Sequence, residues 1–236
     1  MSEARAIEEQ TMPVKGPAHP CPYLPNCTAT FLYARKFPEG NDGFERLLNI
    51  GYRRSGLHVY RTDCDGCQAC TPLRVRTEHW QPDRSQRRAL LRNGDIEIAV
   101  GRPTFDQERA DLFGRYLETR HDGQMSGEPK DLEEGLYRSP VPTIEITGRL
   151  YGRLVSVGIV DVSATMWSLV YSAWDPDMAS RSLGTAYVGW TILMAKDLGI
   201  PYVHLGYWVH GSKTMDYKSR FQPHELLMRD IGWVSV

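Results

Sequence analysis

Three stretches of this 236-residue chain combine residue types and spacings that can do chemistry. The first is Cys64-Asp65-Gly66-Cys67-Gln68-Ala69-Cys70, with Cys21 and Cys27 upstream. Cysteines two residues apart place thiols on one side of a tight turn, where a zinc ion or an iron–sulfur cluster takes several as ligands. Cys21 is the candidate fourth ligand beside Cys64, Cys67 and Cys70; packed or redox-sensitive thiols are the alternative reading. The second is Arg181-Ser182-Leu183-Gly184-Thr185-Ala186, an R-x-x-G-x-A loop. Its glycine lets a ligand approach the backbone, and N–H groups opening a helix favour an anion such as pyrophosphate. A helix start with a packing glycine gives the same pattern. The third is Leu205–Glu225, where Tyr207, Trp208, Tyr217 and Phe221 alternate with Lys213, Lys218 and Arg220. Aromatic planes among cations stack a base and hold its phosphates, or form a half-buried turn with solvated charges.

The formal net charge of −1 argues against a generally basic nucleic-acid binder, yet it hides an asymmetry. Residues 1–45, 46–92 and 93–236 carry net charges of −2, +6 and −5. Every cation of the middle block is arginine: Arg46, Arg53, Arg54, Arg61, Arg74, Arg76, Arg84, Arg87, Arg88 and Arg92. The planar guanidinium donates paired hydrogen bonds to carboxylate and phosphate, so the block suits an anionic partner as well as a solvated face. No apolar run reaches the roughly 18 residues needed to span a bilayer. The opening MSEARAIEEQ lacks the basic-then-apolar pattern of a secretory signal. A cytoplasmic protein with no membrane and no DNA partner is expected, and there its five cysteines read as thiols or ligands.

These residues need elements to hold them. Residues 1–20 are polar and read as a loose tail. Phe31–Ala34, Leu57–Arg61 and Leu73–Arg76 read as strands, Phe44–Ile50 as a short helix, and Arg84–Asn93 as a basic helix stopped by Asn93-Gly94. Ile96, Ile98 and Val100 alternate as a strand. Thr104, with Gln107 three residues on, is expected to cap a helix running to Arg120. Residues 121–140 are rich in Gly, Pro, Asp and Glu and read as a connector or lid. Thr143–Arg149, Leu154–Val162 and Met166–Trp174 form an expected antiparallel meander, followed by a helix Ser182–Leu198 stopped at Gly199 and a strand Tyr202–Tyr207. The expected class is α/β (α+β) with a mixed, largely antiparallel sheet in a C-terminal domain 141–236 and a smaller α+β region at 21–120.

The R-x-x-G-x-A loop, lying between a meander and a helix, resembles that of GNAT acetyltransferases. A broader resemblance covers nearly the whole chain. It is carried by C-P-Y-L-P (Cys21–Pro25), G-Y-R-R-S-G-L-H-V-Y-R (Gly51–Arg61), the C-x-x-C-x-x-C run and P-L-R-V (Pro72–Val75). It continues in S-Q-R-R (Ser85–Arg88), R-Y-L-x-x-R-H (Arg115–His121) and the blocks between Gly206 and Glu225. In these the chain resembles the arginyl-tRNA–protein transferase family, in its bacterial leucyl branch. Where the arginyl branch has C-G-Y-C, this chain has Leu24 in place of the second cysteine, and Thr214 stands where the family has lysine before Met215.

The resemblance implies a GNAT-like C-terminal acyltransferase fold. It also implies transfer of leucine from leucyl-tRNA to the N-terminal amine of proteins starting with Asp or Glu, marking them for degradation through the N-degron route. Arginine as donor is one alternative; an acetyl-CoA-dependent N-acetyltransferase and a non-catalytic RNA-binding module are others. An aminoacyl ester is already activated, so the reaction needs proximity, a deprotonated amine and donors for the tetrahedral oxyanion, and no cofactor. Arg53, Arg54 and Arg76 are the candidates to select the acceptor's acidic side chain. Tyr207, Lys218 and Arg220 are candidates for the tRNA end or the oxyanion, Asp175 for orienting the attacking amine. Arg181, Gly184 and Trp208 are further substrate-binding candidates.

Overall fold

The computed structural model describes residues 3–236 apart from Asn41, 121–125 and Lys213. It opens with helix α1 (Glu3–Gln10), short strands β1 (Val14–Lys15), β2 (His19–Pro20) and β3 (Thr28–Ala29), then β4 (Phe31–Ala34). Helix α2 (Gly43–Asn49) and strands β5 (Arg53–Ser55) and β6 (His58–Thr62) follow. These build a four-stranded sheet in the order β1-β4-β6-β5, while β2 and β3 pair separately. The first twenty residues are therefore not a loose tail. Ile7 of α1 is buried with Leu47, Tyr52 and Val59, and Arg61 holds Glu8 at 2.6 Å. Ile7 docks the helix, while Glu9 and Gln10 on its other side remain exposed.

The second sheet has eight strands. They are β7 (Cys70–Arg76), β8 (Glu97–Gly101), β9 (Thr143–Leu150), β10 (Arg153–Val162), β11 (Met166–Trp174), β12 (Tyr202–Val209), β13 (His224–Met228) and β14 (Gly232–Ser235). Their order is β14-β13-β7-β12-β11-β10-β9-β8, and only β11 with β12 runs parallel. Helix α3 (Arg84–Arg92) precedes β8, α4 (Gln107–Arg120) and the short α5 (Pro129–Leu132) precede β9, and α6 (Leu183–Asp197) crosses from β11 to β12. Helices cover both faces of the meander. Leu112, Phe113 and Leu117 of α4 pack on Val157 and Ile159 of β10, while Tyr187 of α6 presses on the opposite side against Gly158. β10 is therefore apolar along nearly its whole length rather than alternating. Each such buried aliphatic side chain contributes roughly 1.5–3 kcal/mol.

The expected division into a region ending at 120 and a domain beginning at 141 is not how the sheet is assembled. β7 and β8 come from the first part of the chain and pair with strands from the second: β7 lies between β12 and β13, and β8 closes the edge beside β9. Nor is the segment before 140 merely a connector. Residues 129–137 are helical, with Leu132 and Leu136, one turn apart, buried beside α4. Asp106, not Thr104, caps α4: its Oδ1 accepts the Arg109 N–H at 3.0 Å, whereas the Thr104 hydroxyl bonds the Arg102 carbonyl. Asp and Thr are both good caps, and the helix begins where the shorter reach exists.

Candidate active site

β11 and β12 are parallel neighbours only from Met166–Ser168 against Tyr202–His204. Beyond that point the two strands no longer pair. The register of β12 against β7 shifts between His204 and Gly206, and a bulge of this kind bends its strand away from the neighbour. The side chain of Arg53, from the small sheet, stands at this opening. Its Nη2 donates to the Leu169 carbonyl of β11 at 2.5 Å, and its guanidinium lies 5.7 Å from the Tyr207 ring centre on β12. Gly206 makes room for it: a Cβ there would stand 1.2 Å from Arg53 Nη1, and the backbone has φ of +88°. Among the described residues Arg53 has no carboxylate partner.

Lys218 enters the same opening from a 3₁₀ turn, Asp216–Arg220. It is buried, and Nζ donates to the Tyr207 carbonyl at 2.9 Å. Burial first, and then the positive charge of Arg53, push its pKa well below the ordinary lysine value. Among the described residues it has no carboxylate partner, so burial disfavours its charged form without an ion pair to offset it. Tyr207 itself is a brace. Its hydroxyl donates to the Gly51 carbonyl at 3.0 Å and accepts the Thr62 N–H at 3.3 Å, which ties the small sheet to β12. Burial keeps its pKa above the ordinary tyrosine value, so it is not an acid or base near neutrality.

The neighbouring arginines do different work. Arg54 points to the other side of β5, fully buried, where Nε meets both oxygens of Asp161 at 2.8 and 2.9 Å. It also donates to the carbonyls of Gly56, Leu136 and Arg138. It is a structural cross-link with no hydrogen-bonding face turned to solvent, and the expectation that it selects a substrate is corrected. Arg76 is half-exposed and lies 3.6 Å from Glu225, whose other oxygen holds Arg74 at 2.7 Å.

The residues expected around the R-x-x-G-x-A loop gather elsewhere and are engaged. Asp175 is fully buried, paired with Arg115 and Arg153, and accepts the Asp177 N–H as the cap of the following turn. It has no free oxygen lone pair facing an open site, which removes it as the residue that orients an amine. Arg181 makes two bonds to Asp95 at 2.9 and 2.7 Å. Gly184 is a packing glycine, since a Cβ would sit 2.7 Å from the Trp174 ring. Trp208 donates Nε1 to Asp216 at 3.1 Å. Arg220 is exposed and lines a cleft with Ser85, Gln86, Thr185, Tyr217 and Phe221. Lys213 lies outside the described residues, as does His121.

Cys21, Cys64, Cys67 and Cys70 do converge, with Cys27, on one small cavity also lined by Tyr23, Leu24, Ala29 and Phe31. They do not form the expected metal centre: among the described residues no group of three or more His, Cys, Asp or Glu is placed to hold an ion. Burial, reinforced by the neighbouring cysteines, pushes the Cys70 thiol up to about 12.

Two residues of this site escaped the sequence reading. Asp161 is the one acid in the apolar run Leu154–Val162, and a lone charge there requires a buried cation. Gly206 was seen only as part of a block, although a glycine inside a strand signals close approach of another group.

The sequence descriptions "Arginine-tRNA-protein transferase, N terminus" and "Arginine-tRNA-protein transferase, C terminus" match residues 19–88 and 108–228. The chain belongs to the arginine-tRNA-protein transferase family. The join between the two matched parts falls between α3 and α4, not in the 121–140 segment. Within this family the chain is 37% identical over 221 residues to an aspartate/glutamate leucyltransferase of Pseudomonas aeruginosa, covering 92% of this chain and 94% of that protein. It is 34% identical to the leucyltransferase of Hahella chejuensis, over 93% and 95% of the two chains. Among solved structures, FemX superposes with a TM-score of 0.52 at 10% identity over 80% of this chain and 66% of that one. The C-terminal domain of a putative lysylphosphatidylglycerol synthetase from Agrobacterium fabrum gives 0.52 at 12% identity, over 84% and 64%. The fold is GNAT-like, and no helix among the described residues is long and apolar enough to cross a membrane.

Proposed function

We propose that this protein moves leucine from leucyl-tRNA to the N-terminal amine of proteins beginning with Asp or Glu, in the cytoplasm, as a mark for N-degron proteolysis. The observation that carries the reading is the pair at the opening between β11 and β12: Arg53, a guanidinium with no ion-paired carboxylate among the described residues, beside Lys218, a buried amine held below its ordinary pKa. Arg53 binds the acidic side chain of the acceptor, for which its planar fork is suited. The acceptor's α-amine has an ordinary pKa of about 8, so a modest base suffices to free its lone pair. Lys218, whose charged form burial disfavours, takes that proton as the amine attacks the leucyl ester carbonyl. The tetrahedral intermediate then collapses; the C–O bond to the tRNA ribose breaks, the amide remains, and the proton passes to the leaving ribose oxygen. Balance requires no oxidant, metal or second nucleotide.

A second reading, arginine as donor, is favoured by the description of the matching family. The relatives named leucyltransferase, similar along nearly their full length, favour leucine. The acetyl-CoA reading draws no support from the R-x-x-G-x-A loop, whose arginine is held by Asp95 and whose glycine is covered by Trp174. The test incubates the protein with an Asp-starting peptide and tRNA charged with labelled leucine or arginine. Labelled leucine on the peptide is the expected result. Label from arginine alone transfers the reading to the second donor, and label from neither refutes both.

A further inference from the structure

Among the described residues several arginines at the surface are held by carboxylates and others, Arg35, Arg102, Arg138 and Arg229 among them, are exposed without one; what sets α3 apart is that three such arginines share one side of a single short helix. Arg149 is held by Glu108, Arg181 by Asp95, Arg5 by Glu9, and Arg115 and Arg153 by Asp175. Arg84, Arg87 and Arg88 of α3 are exposed and, among the described residues, pair with no carboxylate, although the chain has 29 acids to offer. The helix is nevertheless firmly placed. Asp83 and Gln86 form a capping box at its start, the Gln86 amide donates to the Arg220 carbonyl, Ala89 is buried, and Asn93 closes the end. Its buried side faces α6, and the arginines occupy the other side. Arg84 and Arg88 stand one turn apart, about 6 Å along the axis. The row begins at the cleft lined by Asp83, Ser85, Thr185, Tyr217 and Arg220, whose guanidinium is exposed and, among the described residues, forms no ion pair.

Like charges held this close on a rigid helix repel one another, and among the described residues no carboxylate forms an ion pair with any of the three. A regularly charged external polyanion neutralises them, and a nucleic-acid backbone supplies that spacing of charge while an acidic peptide end supplies one or two carboxylates. We propose that the exposed side of α3, with Arg84, Arg87 and Arg88, is the surface that grips the phosphate backbone of the tRNA body, and that Arg220 continues it toward the opening where Arg53 and Lys218 stand. This rests on the leucyl-tRNA reading for the identity of the RNA and deepens it. α3 binds and orients the donor and takes no part in the chemical step.

The test measures binding of uncharged leucine tRNA to the full chain by fluorescence anisotropy across a series of salt concentrations. The combined variant Arg84→Ala, Arg87→Ala, Arg88→Ala is expected to bind roughly ten- to hundredfold more weakly and to lower the slope of log affinity against log salt by about 2 to 3. The three corresponding lysine substitutions restore most of both, because the contact is to charge. Arg102→Ala, an exposed arginine directly after β8 and outside the α3 row, matches the parent. The side chains are exposed, and each single variant, lowering the slope by about 1, provides the same test with less perturbation. Unchanged affinity and slope in the alanine variant overturn the proposal. So does a raised KM for the Asp-starting peptide with tRNA binding intact, which assigns the row to the acceptor protein. A parent protein that binds tRNA through α3 but transfers no leucine refutes the leucyl-transfer reading and leaves the surface standing.

Discussion

Two places in this fold attract attention for the same reason, a cluster of charged and glycine residues beside a strand end, and they are built oppositely. At the start of α6, each charge has a partner: Asp175 sits between two arginines, Arg181 is doubly bonded to Asp95, and Gly184 is covered by Trp174. At the opening between β11 and β12, Arg53 has no ion-pair partner among the described residues, Lys218 is buried beside it, and Gly206 leaves the space a Cβ would fill. A closed set of ion pairs contributes to stability and leaves little for a substrate. An unpaired guanidinium beside a lysine is costly to hold and is the place where binding of an anion recovers energy. The same contrast recurs within one strand, where Arg53 faces the opening and Arg54, its neighbour, is locked to Asp161.

The contrast can be broken by substitution. Lys218→Met is expected to lower kcat for leucine transfer by roughly 10²–10⁴ while leaving tRNA binding intact, as steady-state rates will show. It also has a stability signature. Because the folded pKa lies below the unfolded value of 10.5, the unfolded chain binds more protons between the two. Stability of the parent therefore rises with pH across that window, up to about 10.5, and is lost as pH falls toward the folded pKa. Denaturation of Lys218→Met at several pH values should show a flatter dependence; an identical one removes Lys218 from its place.

Arg54→Ala is expected to cost about 3–5 kcal/mol in chemical denaturation, because Asp161 is left as a buried uncompensated charge. Arg54→Met combined with Asp161→Leu should recover most of that loss. Gly206→Ala is expected to cost about 1–2 kcal/mol from the positive φ and to weaken peptide binding by displacing Arg53. Arg181→Ala, at the closed cluster, should change stability by about 0–1 kcal/mol and leave leucine transfer within about twofold of the parent. A large loss of transfer there would reverse the comparison.

Much of this fold is readable in the residues. The meander announces itself through three apolar runs separated by Gly152-Arg153 and Ser163-Ala164, and α6 through its length and Gly199. What stays hidden is long-range. Nothing in Cys70–Arg76 says that it inserts between β12 and β13, and the hairpin His224–Ser235 is masked because its strands are short and separated by Arg229, Asp230 and Ile231. α1 is missed because a single buried isoleucine is a weak signal. At the site, the types were visible and the assignment was not. Arg53 and Arg54 are equivalent on paper, and alternation along a strand sends them to opposite faces; only the position of Asp161, more than a hundred residues away, determines which one is neutralised. The cysteine spacing likewise suggested ligands, while the surrounding Phe31, Leu24 and Ala29 make the cavity an apolar one.

The central claim is that Arg53 reads the acidic side chain of the acceptor. It is tested most directly by measuring leucine transfer to two peptides that differ only in beginning with Asp or with Asn, for the parent and for Arg53→Ala. The parent should prefer Asp by roughly ten- to hundredfold in kcat/KM, the worth of a charge-assisted hydrogen bond, and Arg53→Ala should lose that preference chiefly through KM. An Arg53→Ala protein that still transfers leucine and still prefers Asp to the same degree would contradict the account.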